Sequence, residues 1–166
     1  MYVNKLVFNL LNSLAKKNIL ADMAWIFLAK YAIFFFGIAL IFFVRRDKKA
    51  FLKVFIATAI TVMALFIIKK MWYFPRPFES ENAALLIEHR LDSTFPSKHA
   101  AVAFAIAFGI FLEKKKLGAW LLVLAFSVAL SRVIVGVHYP SDVFAGAVIG
   151  MIAAYSSNKF FSRKIK

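Results

Sequence analysis

Apolar stretches of bilayer-crossing length recur along this chain, and almost every charged residue sits between them. Lys30 is the only charge in residues 23–44, and Lys53 the only one in residues 51–68. Residues 99–112, 118–136 and 143–155 follow, the first of these gaining length if counted from Pro96 and the last from Pro140. In hydrocarbon every backbone N–H and C=O must be satisfied within the protein, so runs of about 20 apolar residues fold as helices. The chain therefore reads as all-α, a polytopic integral membrane helical bundle of about five transmembrane helices. Residues 1–166 form one domain by length. Residues 1–17 differ: Val3, Leu6, Val7, Leu10, Leu11 and Leu14 recur at helical spacing in a segment too short and too polar to span. That pattern predicts an N-terminal interfacial helix, and it lacks the compact apolar core and small-residue cleavage site of a signal peptide.

Composition supports the membrane and removes other classes. Hydrophobic residues make up 63% of the chain and twenty are phenylalanine, against roughly 45–50% apolar residues in soluble domains. A net charge of +14 would suit nucleic acid on a soluble surface. Here the basic residues cap apolar runs, where they meet anionic headgroups and set topology, so no nucleic-acid partner is expected. There is no cysteine, which excludes a thiolate nucleophile and any disulfide.

With five spans, loops alternate between two sides. Arg45, Arg46, Lys48, Lys49 and Lys53 fall on the same side as Lys114, Lys115 and Lys116 and as Lys159, Arg163, Lys164 and Lys166. The positive-inside rule makes that side cytoplasmic. The other side then carries the segment 69–98, whose basic residues are diluted by Glu79, Glu81, Glu88 and Asp92, together with the stretch around His138. Three polar clusters thereby meet on the extracytoplasmic face: Lys69 with Arg76-Pro77, Pro96-Ser97-Lys98-His99, and Ser131-Arg132 with His138 and Asp142.

Those residue types form a phosphoryl-transfer set. Phosphate oxygens repel nucleophiles, so a catalyst needs fixed positive charge around them. Lys69, Arg76 and Arg132 supply it, the arginines with bidentate geometry. Ser97 follows Pro96 and opens a helix, so its hydroxyl and the unpaired N–H groups behind it suit an anion. His99, in the first turn, is placed to act as an acid. His138 precedes Pro140, a favoured first-turn residue, which puts Asp142 within reach of its ring. A carboxylate on one ring nitrogen fixes the tautomer and leaves the other to attack. Zinc ligation by the histidines lacks a His-Glu-x-x-His or comparable spacing. His89, outside these clusters, reads as structural or solvated, Lys70 as a headgroup anchor, and Trp72 and Tyr73 as interfacial belt residues.

Lys-x6-Arg-Pro, Pro-Ser-x-His and Ser-Arg-x5-His-x3-Asp, in this order, resemble the signature of the type 2 phosphatidic acid phosphatase superfamily. The resemblance covers residues 69–150. It implies that His138 is the nucleophile and forms a phosphohistidine, that Asp142 orients it, and that His99 protonates the leaving group. It further implies that Lys69, Arg76, Ser97 and Arg132 hold the phosphoryl oxygens and that neither metal nor cofactor is needed. Lys98 stands where many members have glycine. The stretches 8–15, 21–22 and 27–31 are similar to the small bacterial undecaprenyl-diphosphatases linked to bacitracin resistance. That likeness implies hydrolysis of undecaprenyl diphosphate on the extracytoplasmic face of a bacterial cytoplasmic membrane. The alternatives are a phosphatidic acid or phosphatidylglycerophosphate phosphatase with the same chemistry, or a protein that binds or flips phospholipids without turnover. The last has no use for the His138/Asp142 pair or for His99.

Overall fold

The computed structural model describes residues 2–80 and 82–164. Met1, Glu81 and Lys166 lie outside them. All regular structure among the described residues is helical: α1 (Tyr2–Asn12), α2 (Ile19–Lys30), α3 (Ile33–Arg46), α4 (Lys48–Met71), α5 (Pro77–Ser80), α6 (Lys98–Glu113), α7 (Lys115–Ile134) and α8 (Pro140–Lys164). By length and composition α4 and α7 can each cross a membrane, and α2 with α3 makes a third crossing if taken as one bent span. α6 is shorter, at 16 residues, and is the axis of the bundle, with Ala100, Ala101, Ala103, Ala105 and Ala107 all buried against its neighbours.

Small residues set the closest approach. A Cβ on Gly150 would stand 2.2 Å from the Ala101 carbonyl oxygen, and one on Gly146 would stand 2.6 Å from that of Ser97. Both obstacles are backbone, so α8 lies against α6 only because these positions carry no side chain. Gly150→Ala is expected to destabilise the bundle by roughly 1–3 kcal/mol and to lower its thermal midpoint in detergent. Gly37→Ala is the control. A Cβ there meets nothing within 4 Å, so higher helix propensity should leave stability unchanged or raise it by up to about 1 kcal/mol.

The ends of the bundle differ in charge as the sequence predicts. At one end Lys53 Nζ pairs with Glu113 Oε1 at 2.9 Å, Asn158 donates to the same carboxylate, and Ser157 Oγ donates to the Lys53 carbonyl. This ties α4, α6 and α8 together where the basic loops emerge. At the other end lie the last turn of α4, the segment up to Ser97, the α7–α8 turn and α1. The segment 72–97 is mostly irregular, with one helical turn at Pro77–Ser80.

α1 is docked on that second end. Asn12 is buried; its amide donates to the carbonyls of Ala84 and Ile134, both at 2.9 Å, and accepts from the Ala84 N–H. Asn4 Oδ1 accepts from the Ser141 N–H at 3.0 Å, which caps the start of α8. Phe8 packs edge-on against Tyr139. Tyr2, Val3, Leu6 and Leu10 are left exposed on the opposite face, as an interfacial helix requires.

The stretch 23–44, read as one continuous span, is two helices bent by 46°. The cause lies at Ala29. In an unbroken helix its carbonyl would accept from the N–H of residue 33. Here it accepts from Arg132 Nη1 at 3.0 Å, while the N–H groups of Tyr31 and Ala32 both return to Phe27.

Candidate active site

Pro140 opens α8 with a fixed φ suited to the first helical position, and Asp142 reaches back to the Tyr139 N–H at 2.8 Å. This is the return half of a capping box, with aspartate in the glutamate role. At the end of α7, Gly136 adopts φ +86°, the left-handed conformation that ends a helix and that glycine adopts without strain. The chain thereby turns His138 back beside Arg132. Ser97 caps α6 in extended conformation, and its N–H donates to the Asp142 carbonyl at 3.0 Å, so the two helix starts are locked together.

His138 and Asp142 come together, but not in direct contact. The Nδ1–Oδ2 separation is 3.6 Å, and Thr94 stands between them. Its hydroxyl donates to Asp142 Oδ2 at 2.6 Å and lies 3.1 Å from His138 Nδ1. A hydroxyl whose hydrogen goes to a carboxylate keeps a lone pair for an incoming N–H. The chain of bonds therefore places the imidazole hydrogen on Nδ1 and leaves the lone pair on Nε2. The direct His138–Asp142 bond expected from sequence is thus corrected to a bond through Thr94. Three residues, Tyr139 and the first two of α8, separate the two groups at a capping geometry, which leaves room for a hydroxyl.

The predicted phosphate ligands divide into two pairs. Ser97 Oγ, Arg132 Nε and Arg132 Nη2 are buried without any hydrogen-bond partner. Ser97 is the helix cap, yet its hydroxyl caps nothing. Lys69 and Arg76 are already engaged. Lys69 donates to the Ser93 carbonyl. Arg76, almost fully buried, forks onto Asp92 Oδ1 through Nη2 at 2.6 Å and Nε at 3.1 Å, and its Nη1 reaches the Val137 carbonyl at 2.7 Å. Arg76 thus ties the irregular segment to the strip just before His138. Asp92 is partly buried, which opposes its ionisation. The Arg76 hydrogen bond and charge outweigh this and hold the carboxyl below its ordinary value. His99 lies in the first turn of α6, partly exposed.

His89 is neither solvated nor remote. Its ring lies 6.4 Å from that of His138, edge to face, and its Nδ1 is 3.2 Å from the Arg90 carbonyl. Burial, with Arg76 close by, holds its imidazole below the ordinary range. His138 is displaced in the same direction and much further: burial comes first, then the charges of Arg132, Arg76 and Lys69. Thr94, Asp92 and His89 all sit on a segment without periodicity, so no helical or strand pattern marked them. The one available signal was a hydroxyl residue two positions before Pro96. Among the described residues no group of three His, Asp or Glu side chains could hold a metal ion.

Comparison with known proteins agrees with this architecture. A family model described as the PAP2 superfamily matches residues 50–166. A Bacillus licheniformis protein named bacitracin transport permease protein BcrC is 40% identical over 152 residues, covering 89% of this chain and 75% of that protein. The Bacillus subtilis undecaprenyl-diphosphatase BcrC is 28% identical over 95% of this chain and 84% of its own length. The crystal structure of Aquifex aeolicus LpxE superposes with a TM-score of 0.83 at 30% identity, covering 95% of each chain.

Proposed function

The chain belongs to the PAP2 superfamily and is a membrane phosphatase, and from that premise we propose that it hydrolyses undecaprenyl diphosphate to the monophosphate through a phosphohistidine on His138. The observation that carries the reading is the set of three buried, unpartnered donors and acceptors, Ser97 Oγ, Arg132 Nε and Arg132 Nη2, beside an imidazole whose Nε2 is left with its lone pair. A buried guanidinium edge with nothing to bond is costly unless an anion completes it. A transferring phosphoryl group has the charge and the equatorial oxygens to do so.

The mechanism follows. The terminal phosphoryl group binds between Arg132, Ser97 and the start of α6, with Lys69 and Arg76 setting the positive field and the shape of the wall. His138 Nε2 attacks phosphorus in line, and Asp142, acting through Thr94, stabilises the imidazolium that forms. His99 donates a proton to the leaving group when that group needs one. Water then attacks the phosphohistidine, with the neutral His99 ring as the base. The substrate assignment draws on the relatives named for it. The charge distribution supports a bacterial cytoplasmic membrane, with the basic loops inside and the site on the extracytoplasmic face.

A depressed His138 pKa has a definite sign. Acidification converts the attacking neutral ring to imidazolium, and a lowered pKa postpones that conversion to lower pH. The acid limb of kcat/KM on a lipid diphosphate is therefore expected below about 6.5, the ordinary imidazole value. A limb at or above that value that persists in a His99 variant would show that His138 titrates normally.

Phosphate release by detergent-purified protein, in excess chelator, tests the substrate. Undecaprenyl diphosphate is expected to be preferred over phosphatidic acid and phosphatidylglycerophosphate. Preference for either glycerophospholipid would keep the chemistry and move the substrate, and silence from folded protein on all three would favour a binding protein.

A further inference from the structure

A groove of about 370 Å³ opens between α4 and α6 beside the phosphoryl pocket. Val62, Phe66 and Val102 form its floor, and Lys69, Lys70, Asp92 and Lys98 its rim. α4 runs toward the site and α6 away from it, so the apolar residues lie further along the helices from the site and the charges lie beside it. Val62 and Phe66 are both more than half exposed, open to a lipid chain. The rim charges are not equivalent. Asp92 is held by Arg76 and Lys69 by the Ser93 carbonyl. Lys70 and Lys98 are both exposed, without a hydrogen-bond or ion-pair partner among the described residues, but only Lys98 adjoins the pocket residues in the chain. It lies between Ser97, whose hydroxyl is open in the pocket, and His99, one helical turn from Val102.

We infer that this groove is the subsite for the inner phosphate and first tail carbons of a lipid diphosphate, and that Lys98 holds that inner phosphate. The inference rests on the substrate reading above and adds to it a means of telling diphosphates from monophosphates. Attack by His138 Nε2 forms the N–P bond and breaks the bond from the terminal phosphorus to the bridging oxygen. The electron pair leaves on that oxygen with the lipid monophosphate. Such a leaving group has a second pKa of about 6, so it departs as an anion and gains from a cation more than from a proton. Lys98 supplies that cation. With a glycerophospholipid monophosphate such as phosphatidic acid, the group that departs is the diacylglycerol alkoxide, which takes its proton from His99, and the substrate offers Lys98 no inner phosphate to hold.

The test compares wild type, Lys98→Ala, Lys98→Arg and Lys70→Ala on undecaprenyl diphosphate and on phosphatidic acid. Lys98→Ala is expected to lose about 10- to 100-fold in kcat/KM on the diphosphate, the scale of one charge-assisted hydrogen bond, and less than about 3-fold on phosphatidic acid. Lys98→Arg should restore most of the loss. Activity retained on phosphatidic acid shows that the variant is folded. Equal losses on both substrates, no loss on either, or a ratio moved by Lys70→Ala instead of Lys98→Ala would each overturn the assignment. A wild-type protein inactive on the diphosphate but active on phosphatidic acid would sink the substrate reading and the subsite with it. A wild type active on the diphosphate, with an unmoved ratio in Lys98→Ala, sinks the subsite alone.

Discussion

Replacing His138 with alanine is expected to reduce turnover by roughly 10⁴-fold or more, because the covalent route loses its nucleophile. The ring is buried and held on one edge only, by Thr94, so no neighbouring group can take its place. Asp142 is bonded to Thr94 and the Tyr139 N–H, and His89 lies 6.4 Å from the His138 ring, centroid to centroid. Binding should persist, since Ser97 and Arg132 are untouched. The variant should therefore retain affinity for inorganic phosphate or vanadate while failing to release phosphate. Turnover within about tenfold of wild type would show that another residue attacks.

Arg132 carries the second large effect. Its side chain does two jobs at once: Nη1 holds the Ala29 carbonyl at 3.0 Å, while Nε and Nη2 have no partner. Arg132→Ala should lower kcat/KM by about 10²- to 10³-fold, the range for removing a preorganised donor to developing charge. It should also reduce stability by about 1–3 kcal/mol through the stranded Ala29 carbonyl. Arg132→Lys separates the two roles. A lysine can satisfy the carbonyl or the anion, not both with one ammonium, so stability should recover while kcat/KM stays well below wild type. A lysine variant with wild-type kinetics would mean that charge alone, without the planar fork, serves the pocket.

The helical fold and the paired ends of the bundle were legible in the sequence because bilayer-length apolar runs and their basic flanks are direct consequences of the solvent. The grouping of the candidate site residues was legible because several stand at helix ends, where Pro140, Gly136 and Ser97 mark the turns. The bend at Ala29 was not. No proline or glycine marks it, and its cause, Arg132, lies 103 positions away along the chain. Thr94 and His89 were missed for a related reason. The segment that holds them takes its shape from long-range bonds, such as Arg76 to Asp92 and Asn12 to Ala84, rather than from a local period. The engagement of Arg76 and Lys69 by protein acceptors was equally invisible, since residue type reveals capacity to bind phosphate but not prior occupation.

The phosphoenzyme is the most direct test of the central claim. Wild-type protein would be mixed with undecaprenyl diphosphate labelled in its terminal phosphate, quenched within milliseconds, and digested to locate the label. The account predicts an acid-labile, alkali-stable phosphoramidate on His138 that forms and decays at the rate of turnover and is absent from His138→Ala. Label on another residue, or steady phosphate release with inversion at phosphorus and no labelled intermediate, would contradict it.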